Sequence, residues 1–258
     1  DLGLSEEVLK AVSDAGYTDP TPIQEGAIPH VLMGRDILGC AQTGTGKTAS
    51  FTLPMIDILA SGRARARMPR TLILEPTREL AAQVAENFDT YGKYHKLTKA
   101  LIIGGTSMEE QTRVLDKGVD VLIATPGRLL DLFDRGGMLL NDVKILVIDE
   151  ADRMLDMGFI PDVEKIVSLL SKIRQTLFFS ATMPPEIRRL ADAFLMNPRE
   201  ITVAPPASTS KNIEQHLVIV PHRNKRDLNG LQKAKRDTLR NLVRQENVKN
   251  ALIFCNRK

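Results

Sequence analysis

The sequence predicts a doubly wound α/β domain over roughly residues 1–205, followed by a linker and an incomplete second α/β domain. Three observations carry this. Short runs of Val, Ile and Leu recur along the chain and are continuous rather than alternating, as strands are when both faces of a parallel sheet are covered. Stretches with helical spacing separate these runs. The pattern then breaks at Ala204-Pro205-Pro206-Ala207-Ser208-Thr209-Ser210, which reads as a linker.

The predicted strands are Asp36–Ala41, Thr71–Glu75, Ala100–Ile103, Val121–Ala124, Ile145–Ile148, Thr176–Phe179 and Ile201–Val203. Ser5 is placed to cap a first helix, with Glu6 and Glu7 in the turn where the helix dipole favours acid. Arg78–Tyr91 repeats apolar residues at helical spacing. Pro161–Leu170 and Pro185–Phe194 each begin with proline, which suits a first helical position. Beyond a linker at 206–214, residues 215–258 offer a strand (Gln215–Val220), a basic helix (Ala234–Gln245) and a strand (Ala251–Cys255). Three elements are too few to close an independent sheet. His222–Lys235 reads as an insertion between the first two. The basic stretch Arg223–Lys249 reads either as a phosphate-contacting face or as a solvated helix surface, and charge runs are more often the latter.

The chain has 258 residues, 43% hydrophobic and 26% charged, which suffices for a core without disulfide or metal staples. Its two cysteines, Cys40 and Cys255, lie far apart with no CxxC spacing, so neither zinc nor a disulfide framework is expected, and a reducing cytoplasm is. No apolar run approaches the ~18 residues of a membrane span. A net charge of +3 is too small to argue for nucleic acid, so any basic surface must come from the distribution of charge.

The strongest chemical signal is Ala41-Gln42-Thr43-Gly44-Thr45-Gly46-Lys47-Thr48, between a predicted strand and a helix. That is the setting of a phosphate-binding P-loop. Glycines let the backbone wrap around phosphate oxygens, and N–H groups and the helix N-terminus point at the anion. Lys47 can reach the β- and γ-phosphates, and the Thr48 hydroxyl can ligate Mg²⁺. The general pattern begins with glycine, where this chain has Ala41. The second signal is Asp149-Glu150-Ala151-Asp152 after the run Ile145–Ile148. A carboxylate there sits at the sheet's carboxyl edge, where ligands bind in this architecture. Asp149 can hold Mg²⁺ and Glu150 can orient or deprotonate a water. Adjacent carboxylates repel without a cation nearby, which favours a metal.

Together with further segments in order, these resemble the DEAD-box ATP-dependent RNA helicases of bacterial type. Gly16-Tyr17-Thr18-Asp19-Pro20-Thr21-Pro22-Ile23-Gln24 resembles the family's Q motif, which implies that Gln24 reads the adenine edge and puts Tyr17 in the nucleotide-binding set. The family's upstream aromatic, which stacks on the base, falls before Asp1, and weaker nucleotide affinity is expected on that account. Pro76-Thr77-Arg78-Glu79-Leu80-Ala81 resembles motif Ia, Gly104-Gly105 the paired glycines, and Thr125-Pro126-Gly127-Arg128 motif Ib. The resemblance implies that these grip the RNA backbone. Arg78 and Arg128 bring charge, Thr77 and Thr125 hydroxyls, and the glycines close backbone approach. Taken singly, each is also an ordinary strand-to-helix turn. Few aromatics accompany them, so little sequence preference is expected. Ser180-Ala181-Thr182 resembles motif III, which implies coupling through hydrogen bonds to Asp152. Leu252-Ile253-Phe254-Cys255-Asn256 resembles motif IV.

The resemblance implies a RecA-like ATP-binding domain at 1–205 and the beginning of the helicase C-terminal domain at 215–258. The family's arginine-bearing closing segment has no match, and neither Arg257 nor the basic stretch before it fits that pattern. Weak binding of nucleotide and RNA and poor ATP turnover are therefore expected of these 258 residues. Two rival readings are a non-catalytic nucleotide- or RNA-binding module and a different P-loop ATPase such as a DNA translocase. The Pro-Thr-Pro segment ahead of Gln24 argues against the translocase.

Overall fold

The aliphatic runs form seven strands: β1 (Ile37–Cys40), β2 (Thr71–Leu74), β3 (Lys99–Ile102), β4 (Val121–Ala124), β5 (Ile145–Ile148), β6 (Gln175–Ser180) and β7 (Arg199–Thr202). The computed structural model describes residues 2–203, 216–221, 228–245 and 249–253. All seven strands lie in one sheet, ordered β3-β4-β2-β5-β6-β1-β7, and every pairing is parallel. Each of the seven strands predicted over residues 1–205 is present, with ends displaced by no more than two residues.

Alternation across the sheet sorts the side chains into two apolar layers. Leu72, Leu74, Leu146, Ile148 and Phe178 enter one layer. Ile73, Val121, Val147, Leu177 and Phe179 enter the other. The second layer is covered by α1 (Glu6–Asp14), α2 (Pro22–Leu32), α3 (Lys47–Leu59) and α4 (Arg78–Tyr91). The first is covered by α5 (Met108–Asp116), α6 (Pro126–Asp134), α7 (Ala151–Asp156), α8 (Ile160–Leu169) and α9 (Pro185–Phe194). Burial on both faces explains why the strands read as continuous hydrophobic runs. Ser5 does cap α1, accepting from Val8 N.

One close approach sets the spacing at the centre. Gly39 pairs in register with Phe179, and a Cβ at Gly39 would lie 2.5 Å from a Phe179 ring carbon. The missing side chain makes room for that ring, which packs on Phe51 at 5.5 Å between centroids.

Buried polar groups fasten the opposite, amino edge of the sheet. Asp36 accepts from Thr176 N at 2.8 Å and Met196 N at 2.7 Å, which ties the start of β1 to β6 and to the segment entering β7. Gln175 Nε2 donates to the carbonyls of Val31 and Arg35. These bonds satisfy backbone groups that would otherwise be stranded, and they leave the carboxyl edge free for loops.

The chain divides into two units, residues 1–205 and 206–258. In the second, α10 spans Leu228–Gln245 and no described side chain of it is buried. Two expectations are corrected here. Residues 216–220 of the expected strand Gln215–Val220 are not a strand, and neither are 251–253 of Ala251–Cys255; the remaining residues of both runs lie outside those described. A strand needs a hydrogen-bonded partner, and two short runs without a further one seldom pair stably. The helix also starts at Leu228 rather than Ala234, so residues 228–235 of the expected insertion are helical. Leu228, Leu231, Leu239 and Leu242 already keep helical spacing in the sequence, and Gly230 obscured it. Among the described residues no helix is long and apolar enough to cross a membrane.

Candidate nucleotide-binding and nucleic-acid site

The carboxyl ends of β1, β2, β5 and β6 gather the predicted site residues along one edge. After β1 the chain extends the ladder by one more residue, Ala41 N donating to Ser180 O at 3.1 Å. Ala41 is buried in the apolar layer. The position therefore acts as strand, which explains why alanine serves where the general pattern has glycine. The loop then exposes Gln42, Thr43 and Gly44. Thr45 Oγ1 closes it by donating to Gln42 O at 2.6 Å. Gly44 and Gly46 adopt φ of +85° and +89°, the left-handed region that favours glycine. Gly46 is the N-cap of α3, so Lys47 and Thr48 open that helix.

Lys47 is buried beneath the loop and faces the acids at the end of β5. Its Nζ lies 2.5 Å from Glu150 Oε1 and 3.9 Å from Asp149 Oδ1. Asp149 accepts from Glu150 N at 2.8 Å. Glu150 has φ 51° and ψ 47°, left-handed for a residue with a side chain, and is the N-cap of α7. That conformation costs roughly 1–2 kcal/mol. It turns β5 into α7 with only Asp149 and Glu150 between them, and the Glu150 carboxylate faces Lys47. Burial pushes the Asp149 carboxyl up to about 6; Glu150 nearby adds to the rise, while Lys47 and the Glu150 N–H oppose it.

Gln24 joins a separate segment to this loop. Its Nε2 donates to Gly46 O at 3.2 Å, and its Oε1 accepts from Thr21 N at 3.0 Å. A Cβ at Gly46 would lie 2.5 Å from Gln24 Nε2, so that glycine also makes room for the amide. Tyr17 is 60% exposed, with its ring 6.5 Å from that of Tyr91. A cleft of about 550 Å³ runs from Tyr17 and Gln24 past Lys47 and Thr48 to Asp149 and Glu150.

The coupling residues also meet. Asp152 accepts from Thr182 Oγ1 at 2.9 Å and from Thr182 N at 3.0 Å, and the Ser180 hydroxyl accepts from Asp152 N at 3.2 Å. Burial raises the Asp152 carboxyl, but the bonds from Thr182 and Ser180 outweigh it, and the net shift is downward. α7 is thereby latched to the segment after β6.

The three segments of the expected RNA grip follow β2, β3 and β4, which are neighbours in the sheet. Thr77 caps α4, its hydroxyl accepting from Leu80 N at 3.3 Å, and Thr125 is the N-cap of α6. Pro76 and Pro126 are buried, whereas Arg78, Gly105 and Gly127 are exposed. Arg78 Nη1 donates to Gly104 O at 3.3 Å. Arg128 donates to Thr106 O at 2.8 Å and Gln111 Oε1 at 3.1 Å, and reaches Asp131 only at 3.5 Å. The Arg78 guanidinium thus meets a neutral carbonyl, whereas that of Arg128 has two neutral partners and an ion pair with Asp131.

Sequence reasoning missed two residues here. Gln111 is buried and orients Arg128 while donating to Ile103 O and to Thr106; it lies on α5, and helical spacing alone did not single it out. Glu75 was read only as the end of a strand. It is 1% exposed, lines the cleft, and neither carboxyl oxygen has a hydrogen-bond partner among the described residues. Burial, then Asp149 and Glu150, push its carboxyl well above the usual glutamate range, and Lys47 offsets part of this.

A divalent cation suits this donor set. Three buried acids, Glu75, Asp149 and Glu150, face one ammonium, Lys47. Among the described residues no group of three or more His, Cys, Asp or Glu side chains is arranged to hold a metal directly. Magnesium at Thr48 and Asp149 would take most of its shell from phosphate oxygens and water, its ordinary mode of binding.

A parallel sheet with a P-loop after β1 and paired acids after β5 defines a nucleoside-triphosphate-binding domain. The comparisons narrow the class. The model of the DEAD/DEAH box helicase family matches residues 21–190, and the chain belongs to that family. It is 45% identical to the RNA helicase CrhR of Synechocystis sp. over 100% of this chain and 50% of that protein. It is 46% identical to the DEAD-box ATP-dependent RNA helicase RhpA of Helicobacter pylori over 85% of this chain and 44% of that one. The crystal structure of a DEAD box protein from the hyperthermophile Methanococcus jannaschii superposes with a TM-score of 0.72 at 37% identity, covering 97% of this chain and 62% of that one. The chain thus spans about half the length of the curated relatives it matches.

Proposed function

We propose that this chain is the nucleotide-binding part of an ATP-dependent RNA helicase that binds ATP with Mg²⁺ and the backbone of single-stranded RNA, and so opens short duplexes locally. The observation that carries this is the Lys47–Glu150 pair under the P-loop, on the same sheet edge as Arg78, Gly104 and Arg128.

The resting pair is an interlock. Phosphate oxygens at the loop's N–H groups compete for the Lys47 ammonium. Once Lys47 turns to them, the Glu150 carboxylate is released to orient a water and accept its proton. The metal would neutralise phosphate charge, held by Thr48 and Asp149. The Asp152–Thr182 latch joins this edge to the segment after β6, so a shift of α7 is felt there. Arg78, Arg128, Thr77, Thr125 and the exposed glycines face phosphate and sugar rather than base edges, so binding is expected to fall steeply with salt and to vary little with sequence. The sparse cysteines suit a cytoplasmic, reducing setting.

These residues alone are expected to bind ATP and hydrolyse it slowly. Among the described residues no arginine lines the cleft, and an arginine closing on the γ-phosphate is typically worth ~10³–10⁵ in rate. The check is ATP binding and hydrolysis with and without single-stranded RNA. Low turnover with weak but measurable, Lys47-dependent ATP binding supports the reading; strong RNA-stimulated turnover would sink the expectation of slow hydrolysis. Gln24→Ala is expected to cut the preference for ATP over GTP about tenfold, the worth of one or two hydrogen bonds. A generic P-loop ATPase would keep its preference.

A further inference from the structure

The roles proposed so far leave Glu75 without a task. It follows Leu74, which pairs with Ile148, so it stands beside Asp149 at the end of the β2–β5 ladder. Alternation places both side chains on the face of Ile73 and Val147, beneath the first turn of α3 with Lys47 and Thr48. Both Glu75 carboxyl oxygens are buried without a hydrogen-bond partner among the described residues, yet Glu75 lines the nucleotide cleft. A buried polar group left in that state is destabilising. An aliphatic residue would fill the position at no such cost, as Leu74 and Ile73 do beside it.

We infer that Glu75 is a positioning residue for the nucleotide's Mg²⁺, accepting a hydrogen bond from a water on the ion beside Asp149. This rests on the nucleotide-binding reading of the cleft. The contact runs through water because no three of the described acids are grouped to hold a metal and because Mg²⁺ retains several waters in such sites. The demand for the ion grows when nucleotide arrives. Lys47 then turns to phosphate, and the three acids lose the ammonium that offsets their charge. Glu75 therefore makes nucleotide binding more strictly dependent on Mg²⁺.

The test is ADP affinity in Mg²⁺ and in EDTA, with the Mg²⁺ concentration for half-maximal binding, for the 258-residue chain and its Glu75→Gln and Glu75→Ala variants. Loss of an outer-shell partner typically weakens metal binding 10–100-fold. The advantage of Mg²⁺ over EDTA is expected to shrink about tenfold in both variants, with the half-maximal Mg²⁺ concentration rising by a similar factor. Glu75→Gln keeps the shape of the side chain, and thermal unfolding verifies the fold of each variant. If a folded variant keeps the parent's ratio and midpoint, Glu75 only fills space and the inference is overturned. If the parent chain binds ADP equally with and without Mg²⁺, the inference is overturned as well; if it binds no ADP at all, the nucleotide-site reading itself fails.

Discussion

Lys47→Ala is expected to weaken ATP binding about 10–100-fold, the worth of charge-assisted bonds to phosphate, and to destabilise the empty chain as well. The second effect follows from burial. Lys47 is 4% exposed and lies between Glu150 and Asp149. Removing one partner of a buried ion pair typically costs about 3–5 kcal/mol, because the remaining charges are left uncompensated. The penalty depends on pH with a definite sign. Asp149 in the folded chain holds its proton up to about 6, against 3.8 as its ordinary value. Between those values the folded state binds the extra proton, so this group's contribution to stability falls as pH rises through that window. Without Lys47, Asp149 and Glu75 lose the cation that lowers their carboxyls, and the window extends upward. Urea unfolding at pH 5 and pH 8 measures this. The Lys47→Ala deficit is expected to be smaller at pH 5 than at pH 8. An equal deficit at both would mean that Lys47 stabilises by packing rather than by charge.

Gly39→Val is expected to destabilise the first unit by about 3 kcal/mol or more, at the upper end of overpacking costs. The added Cβ would lie 2.5 and 2.7 Å from two Phe179 ring carbons. Phe179 is fully buried and packs against the equally buried Phe51, so the ring has little room to retreat. A denaturation midpoint reads the loss. Combining Gly39→Ala with Phe179→Leu is expected to cost less than the sum of the two single changes, since one relieves the clash made by the other. Strict additivity would show that the ring is not the obstacle. The strain would also reach the site: Gly39 precedes the phosphate loop by two residues, and Phe179 adjoins Ser180, which the loop entrance uses as an acceptor.

Most of the first unit was legible because its physics is local. A strand buried on both faces must be apolar at every position, so the runs at Thr71–Leu74, Val121–Ala124 and Ile145–Ile148 announced themselves. The phosphate loop was legible for a similar reason: glycines at 44 and 46 have positive φ, which the chain can obtain cheaply only from glycine. What stayed hidden depends on neighbours distant in sequence. Glu75 draws its character from Asp149 and Lys47, and Gln111 from Arg128, across gaps that no period in the sequence reports. The abrupt turn at Glu150 was hidden too, because it uses a left-handed conformation at a residue that gives no sign of one. In the second unit the expected strands were read from apolarity alone, which cannot supply the partner a strand requires.

The Gln24 amide has a consequence for how a wrong base would be rejected. Both ends of that amide are engaged before any ligand arrives, one with Thr21 and the other with the carbonyl of Gly46. On the proposed reading, a base that engages the amide trades bonds with it rather than adding them, and the trade loosens the hinge on which Lys47 swings. A base that cannot make the trade leaves that hinge bolted. Discrimination would then show as sluggish chemistry more than as poor occupancy: guanine nucleotides would enter the cleft, saturate it at moderate concentration, and fail to release the lysine from its glutamate.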